Sequence, residues 1–251
     1  MKYHIEKNTV QETLVIPLFG RLVCSEHFPE LFSDPEAKRI CDSLDYDFAE
    51  KRKKMESPAG IFGALEVAQR QYDLRREAEM YLEDHPEAAV VNLGCGLDDT
   101  FRKCDNGLCR GYNIDLPDVI RVRNDLLPAG EREINLACDL NDFSWMDMID
   151  ALNGAVFFAA GVFYYFRTED VKKLFSAMAE RFPGAVLAFD IICLDWLLLT
   201  KSHFFQHYYP ETEGCEVYHQ FGFNRKEQLT RIIVFPFVAA LMAGIAVLIG
   251  S

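Results

Sequence analysis

The sequence has no surplus of positive charge. Its 251 residues carry 26 Lys and Arg against 39 Asp and Glu, a formal net charge of −13. Binding to a nucleic-acid backbone relies on clustered cations, so nucleic acid is excluded as the main partner. The longest basic cluster, Lys51-Arg52-Lys53-Lys54, follows an acidic stretch and reads as a solvated helix face. The first segment, MKYHIEKNTVQETL, lacks the apolar core of a signal peptide. The eight cysteines, at 24, 41, 95, 104, 109, 138, 193 and 215, are therefore expected as free thiols in a reducing, cytoplasmic compartment. Only Cys104 and Cys109, in KCDNGLC, stand close together; a disulfide or a metal pair there is the alternative. No second pair lies at zinc-like spacing, and no metal site is expected. Internal repeats and low-complexity linkers are absent as well.

What the chain does have is a long apolar run near its end. From Ile232 to Gly250, IIVFPFVAALMAGIAVLIG, no residue is charged, and Arg225, Lys226 and Arg231 precede it. Two readings stay open. The run is about long enough for a membrane-associated tail with its basic flank on the cytoplasmic side. It also reads as a buried strand followed by a buried helix, with Pro236 marking the break.

The rest reads as an α/β chain. Residues 10–56 are helical and irregular. SDPEAKRICDSL offers Ser33 or Asp34 as a helix cap with Pro35 at the first helical position. A single long helix follows Ser57-Pro58 and ends near His85-Pro86, because the residue before a proline resists helical angles. Then AAVVNLGCG, CRGYNIDLP, EINLACDL, GAVFFAAGVFYYF and GAVLAFDII supply five short strands. Helices PDVIRVRNDLLP and TEDVKKLFSAMAERF lie between them, the second with Thr168 as its expected cap. Strands alternating with helices imply a mainly parallel sheet flanked by helices. We expect a helical N-terminal cover over residues 1–85 and a sheet-containing core over 86–251, with the apolar tail from about 232, together one integrated domain.

Open parallel sheets bind ligands beyond the carboxyl ends of their strands. The residues there are Gly94-Cys95-Gly96, Asp115, Asp139 and Ala160-Gly161. The glycines permit a tight turn and close backbone approach. The third glycine of a dinucleotide fingerprint is missing, since Asp99 stands in its place, and G-K-S/T is missing too. Two carboxylates and no Lys or Arg in GCGLDD disfavour a polyphosphate. Asp115, twenty-one residues after Gly94, suits ribose hydroxyls, or else caps the turn before Leu116-Pro117. Asp139 suits an adenine amino group, or else caps its own turn. Ribose and adenine contacts without a phosphate site describe S-adenosylmethionine.

The stretches AAVVNLGCGLDD, YNIDLPDVIRVRNDLL, DLNDFSWMD, AAGVFYYF and AERFPGAVLAFD together resemble the leucine carboxyl methyltransferase family, from about Glu12 to Asp190. The resemblance implies a Rossmann-like class I methyltransferase that uses S-adenosylmethionine. It implies that Arg70, in VAQRQYDLR, grips the methionyl carboxylate, with Tyr72 and Asp73 fitting the same pattern. It carries Gly94, Asp115, Asp139 and Leu140 over as cofactor contacts, within a site that also takes in Cys95, Gly96, Leu116, Ala160 and Gly161. Tyr165 matches the family's aromatic position. Three departures stand out. The loop reads Asp98-Asp99-Thr100, with the family's arginine displaced to Arg102. Ala160 stands where the family has glutamate. Beyond Asp190 the match fades, with EVYHQFGF and RIIVFPFV as candidates for the family's antiparallel final strand pair.

The acceptor expected is a carboxylate of a small molecule or peptide, which is already ionised; no general base stands out. A phenol acceptor would want one, and His203 or His207 are the first candidates. The aromatic stretch HFFQHYYPETEGCEVYH, with Tyr208, is a candidate acceptor wall or a metal site with His203, His207, Cys215 and His219. Two other classes stay open: a non-catalytic cofactor-binding protein, suggested by Ala160, and a nicotinamide-dependent oxidoreductase. A membrane-tethered methyltransferase of an apolar acceptor is a variant of the first reading.

Overall fold

The structure, a computed structural model, describes residues 2–6, 9–192 and 231–237. It opens with one feature absent from the expectation: strand β1 (Tyr3–His4), which pairs in parallel with β2 (Leu44–Asp45). Around them run α1 (Val10–His27), α2 (Pro35–Ser43), α3 (Ala49–Met55) and α4 (Pro58–Asp84). Three of these helices start on a side-chain cap. Thr9 accepts from the Gln11 amide at 3.2 Å, Asp34 from Ala37 at 2.8 Å and Ser57 from Gly60 at 3.1 Å. Each oxygen satisfies an amide that the first turn leaves without a helical partner. Pro35 and Pro58 follow the caps, and α4 gives way at His85 ahead of Pro86, as expected.

The sheet follows: β3 (Ala89–Leu93), α5 (Thr100–Cys104), β4 (Arg110–Asp115), α6 (Pro117–Leu126), β5 (Glu133–Ala137), β6 (Ala155–Ala159), α7 (Thr168–Arg181), β7 (Val186–Ile192) and β8 (Arg231–Phe237). The strand order is β5-β4-β3-β6-β7-β8, and every pairing in it is parallel. The chain leaves β3 in one direction for β4 and β5, then returns to the other side of β3 for β6. That reversal opens a crevice at the carboxyl ends of β3 and β6. All five residues of β3 and of β6 are buried. Burial on both faces is why these segments read as continuous apolar runs rather than alternating ones.

One side of the sheet packs Trp145, Phe157, Phe175 and Phe182, with the Phe157 and Phe182 rings 4.9 Å apart. The other side takes Leu74, Ala78 and Leu82 of α4 against Val90 and Phe158. A third cluster joins α1 and α2 to Leu97 of the β3–α5 loop and to Val122 and Leu126 of α6. The helical cover thus shares core clusters with the sheet layer.

Two expectations change. Arg167, not Thr168, holds the cap position of α7; the chain enters the helix one residue early, and the Arg167 guanidinium pairs with Asp170 at 2.8 Å. Residues 231–237 of RIIVFPFV do form a strand, β8, but it runs parallel to β7 and not antiparallel. The intervening segment 193–230 is long enough for the crossover that a parallel neighbour needs. Pro236, which has no amide to donate, sits opposite Ile191 on the outermost described strand, where proline is tolerated. Residues 232–237 of the apolar run therefore lie in the sheet; the remainder, like EVYHQFGF, is outside the described residues. No helix among the described residues is long and apolar enough to cross a membrane.

Phe157 is fully buried in a central strand between Trp145 and Phe182. Phe157→Ala is expected to cost about 3–5 kcal/mol. Urea unfolding should show it as a lower midpoint with an unchanged slope.

Candidate functional site

A cavity of about 500 Å³ lies over the carboxyl ends of β3, β4, β5 and β6. Its wall contains Arg70, Gly94, Cys95, Gly96, Asp115, Leu116, Asp139, Leu140, Ala160 and Gly161, the whole set expected from sequence. Tyr165 stands in the same wall, mostly exposed. Tyr208, His203, His207, Cys215 and His219 lie outside the described residues. Tyr72 and Asp73 are not in the wall: Tyr72 is exposed beneath the Arg75 guanidinium, and Asp73 accepts from Gln69 at 2.8 Å.

The loop after β3 sets the floor. Gly94 has a φ of +64°, and a Cβ there would stand 2.5 Å from Val162 Cγ2, so the turn demands glycine. The loop's amides are engaged internally. Cys95 donates to the Ile114 carbonyl at 3.0 Å, and Gly96 donates to Asp115 Oδ2 at 2.8 Å. A phosphate cradle needs such amides pointing at the ligand, and these point inward. The other Asp115 oxygen accepts from the Leu116 amide at 2.8 Å. Burial raises the Asp115 pKa against those two amides. Asp139 is exposed and caps its own turn, accepting from the amide and side chain of Asn141, while also lining the cavity.

The acidic pair of the loop has a different role from the one its composition suggests. Asp98 accepts from Gln71 at 2.6 Å, Asn92 at 3.0 Å and the Thr100 hydroxyl at 3.0 Å. Asp99 pairs with Lys103 at 2.9 Å and accepts from Gln71 at 3.0 Å. Arg21 of α1, itself buried, reaches Asp34 at 2.8 Å, Asp98 at 3.5 Å and the Leu97 carbonyl at 3.0 Å. Burial pushes the Asp98 carboxyl up, but Arg21 and its other donors outweigh that and hold it below the usual aspartate range. For Asp99 burial prevails over Arg21 and Lys103, and its pKa is raised. From the far side, Arg123 of α6, with no exposed surface, donates to the carbonyls of Gly96 at 2.9 Å and Asp98 at 2.7 Å. The two carboxylates brace the loop, so their charge is not what keeps a phosphate out. The displaced Arg102 pairs with Glu133 and the Pro128 carbonyl, away from the cavity.

On the opposite wall Arg70 is nearly buried and pairs with Asp190 at 3.1 Å. Asp190 also accepts from the Gly161 amide at 2.7 Å and from the Tyr164 hydroxyl. Burial and the neighbouring Asp190 charge hold Tyr164 protonated well above the usual tyrosine range. Sequence reasoning missed Arg21, Gln71, Arg123 and Asp190. For Asp190 a signal existed, since it is the one charged residue in the apolar fifth strand GAVLAFDII.

The donor set fits a molecule with an anionic group at one end and hydroxyl and amino donors at the other. Arg70 of α4 contributes to one part of the wall, and Asp115 and Asp139, each followed by a leucine, Leu116 and Leu140, to another. The volume is that of an ordinary small-molecule site. Cys104 and Cys109 are free thiols, accounted for by contacts with the Phe101 carbonyl and Asp105. Among the described residues no group of His, Cys, Asp and Glu is placed to hold a metal ion.

A family model described as leucine carboxyl methyltransferase matches residues 17–179, more than half of the chain. The tetracenomycin polyketide synthesis O-methyltransferase TcmP of Streptomyces glaucescens is 27% identical over 190 residues, covering 75% of this chain and 68% of that protein. Among solved structures, an O-methyltransferase family protein from Burkholderia thailandensis matches 98% of this chain and 69% of its own, at 13% identity and a TM-score of 0.39. Human N-acetylserotonin methyltransferase, solved in complex with SAM, matches 72% of this chain at 14% identity and a TM-score of 0.40, and the chain spans 54% of it. The fold assignment rests on the strand order and not on those two scores.

Asp98 carries a pH signature. Its folded pKa lies below the unfolded value, so its stabilisation is present above the ordinary aspartate pKa and lost as pH falls through the folded value. The wild-type urea midpoint should fall between about pH 5 and about pH 3, and that of Asp98→Asn should fall less steeply.

Proposed function

Because the chain belongs to the leucine carboxyl methyltransferase family, we propose that it methylates an ionised carboxylate of a small molecule or a peptide. The family and the TcmP relative make it an S-adenosylmethionine-dependent methyltransferase. The observation that supports the finer reading is that Asp98, saturated with donors, and Tyr164, held protonated, offer no general base, and an ionised carboxylate needs none.

In this reading the Arg70 guanidinium binds the carboxylate of the cofactor's amino-acid end, for which its planar fork is suited. Asp115 accepts from the ribose hydroxyls with the lone pairs its backbone partners leave over, and Asp139 accepts from the adenine amino group. Leu116 and Leu140 bound the adenine, while Gly94, Cys95, Gly96, Ala160 and Gly161 shape the wall around the rest. S-adenosylmethionine supplies a methyl group already activated on a sulfonium. The protein's contribution is then alignment and exclusion of water, not proton transfer.

The acceptor end of the cavity is apolar, with Val10, Leu14 and Pro17 of α1 and Val67 of α4. In this reading Tyr165, an exposed residue of the same wall, contacts the acceptor. Of the ionisable groups in the wall, Asp98 is saturated with donors and Tyr164 is held protonated, so neither suits a general base. A carboxylate needs none. It attacks as it stands, forming one C–O bond as the sulfonium becomes a neutral thioether.

Calorimetry should show wild type binding S-adenosylmethionine and its demethylated product, and Arg70→Ala weakened about tenfold or more. Equal binding by both proteins would remove Arg70 from the site. With labelled cofactor and two acceptor probes, 2-naphthoate should gain a methyl group that mild alkali releases, and 2-naphthol should gain none. The reverse outcome would replace the carboxylate reading with a phenol one.

A further inference from the structure

Asp190 is a buried carboxylate that none of the roles above uses. Its side chain is 1% exposed, yet two segments far apart in sequence, α4 and the loop after β6, converge on it. Oδ1 accepts from the Gly161 amide at 2.7 Å; Oδ2 accepts from Arg70 Nη1 of α4 at 3.1 Å and from the Tyr164 hydroxyl. All three partners, Arg70, Gly161 and Tyr164, line the cavity. Gly161 is part of the same arrangement: a Cβ there would stand 3.0 Å from Arg70 Nη1, so the missing side chain lets the guanidinium lie against the loop.

The charges decide what such a wall can receive. The amino-acid end of S-adenosylmethionine carries one carboxylate and one ammonium group. A lone guanidinium attracts the first and repels the second. The carboxylate that the family resemblance implies at position 160 is an alanine here. A nearly buried guanidinium without a counter-ion is also costly in itself. Asp190 answers both demands from the neighbouring strand, within the carboxyl-terminal half of β7 and beside the loop that follows β6.

We propose that Asp190 is a positioning residue that takes over the charge missing at Ala160. It fixes Arg70, Tyr164 and the Gly161 amide as one unit, and its negative charge offsets the repulsion between Arg70 and the cofactor's ammonium group. The wall is thereby selective for a zwitterionic amino-acid group over a simple anion. This inference rests on the reading of the cavity as an S-adenosylmethionine site.

Calorimetry with two probes separates the claims: S-adenosylhomocysteine, and 5′-methylthioadenosine, which lacks the amino-acid group. Wild type should bind both. Asp190→Asn should lose about tenfold or more toward S-adenosylhomocysteine while holding 5′-methylthioadenosine within about twofold. Ala160→Glu added to Asp190→Asn should restore most of that loss. Should Asp190→Asn not fold alone, Ala160→Gln/Asp190→Asn compared with Ala160→Glu/Asp190→Asn should show the same split, since the pair differs in that one charge. Equal losses on both probes would mark a merely structural role and overturn the proposal, as would unchanged binding of S-adenosylhomocysteine. Wild type binding neither probe would overturn the cofactor reading itself, and this inference with it.

Discussion

Arg21 carries a full positive charge in a position almost without water, and the surrounding architecture is arranged to receive it. Asp34 caps α2 and faces its Nε; Asp98 faces Nη1; the Leu97 carbonyl accepts from Nη2. Lys103 of α5 bridges Asp34 at 3.1 Å and Asp99 at 2.9 Å. Removing one partner from such a buried cluster leaves an uncompensated charge, typically worth about 3–5 kcal/mol. The cluster therefore ties α1, α2, α4 and α5 to the loop after β3. Neither the cover nor the loop is positioned independently of the other.

That constraint shapes what the cavity offers a ligand. With the loop held from one side by Arg21 and from the other by Arg123, the amides of Cys95 and Gly96 are turned inward to Ile114 and Asp115. The polar groups that line the cavity are then side chains, among them Arg70 of α4 and Asp115 and Asp139 at the strand ends. A site built that way matches a nucleoside with an amino-acid end better than one with a pyrophosphate. The conclusion drawn from the acidic loop survives, but its reason changes. Asp98 and Asp99 do not repel a ligand; they occupy the donors that would otherwise leave the loop slack.

The sheet was readable from sequence because its central strands are buried on both faces and have no alternation to obscure them. The cavity wall was readable for a related reason. In a parallel sheet the strand ends converge, so Gly94, Asp115, Asp139 and Gly161 could be placed together from strand boundaries alone. The unread residues share a property. Arg21, Arg123 and Asp190 are polar groups made tolerable by partners distant in the chain, as with Arg70 and Asp190, which lie 120 residues apart. No local pattern marks such a pair: Arg21 and Arg123 by themselves resemble surface positions, and Asp190, though conspicuous in an apolar strand, does not name its partner. The direction of β8 was hidden likewise, because a strand's residues do not state which way its neighbour runs.

The central claim is that one cavity wall takes the amino-acid end of S-adenosylmethionine and the other its nucleoside. A co-crystal structure with S-adenosylhomocysteine tests it most directly. The account predicts its carboxylate on Arg70, its ribose hydroxyls on Asp115 and its adenine beside Asp139 and Leu140. Density for the ligand with its carboxylate away from Arg70, or with the two ends exchanged, would contradict it.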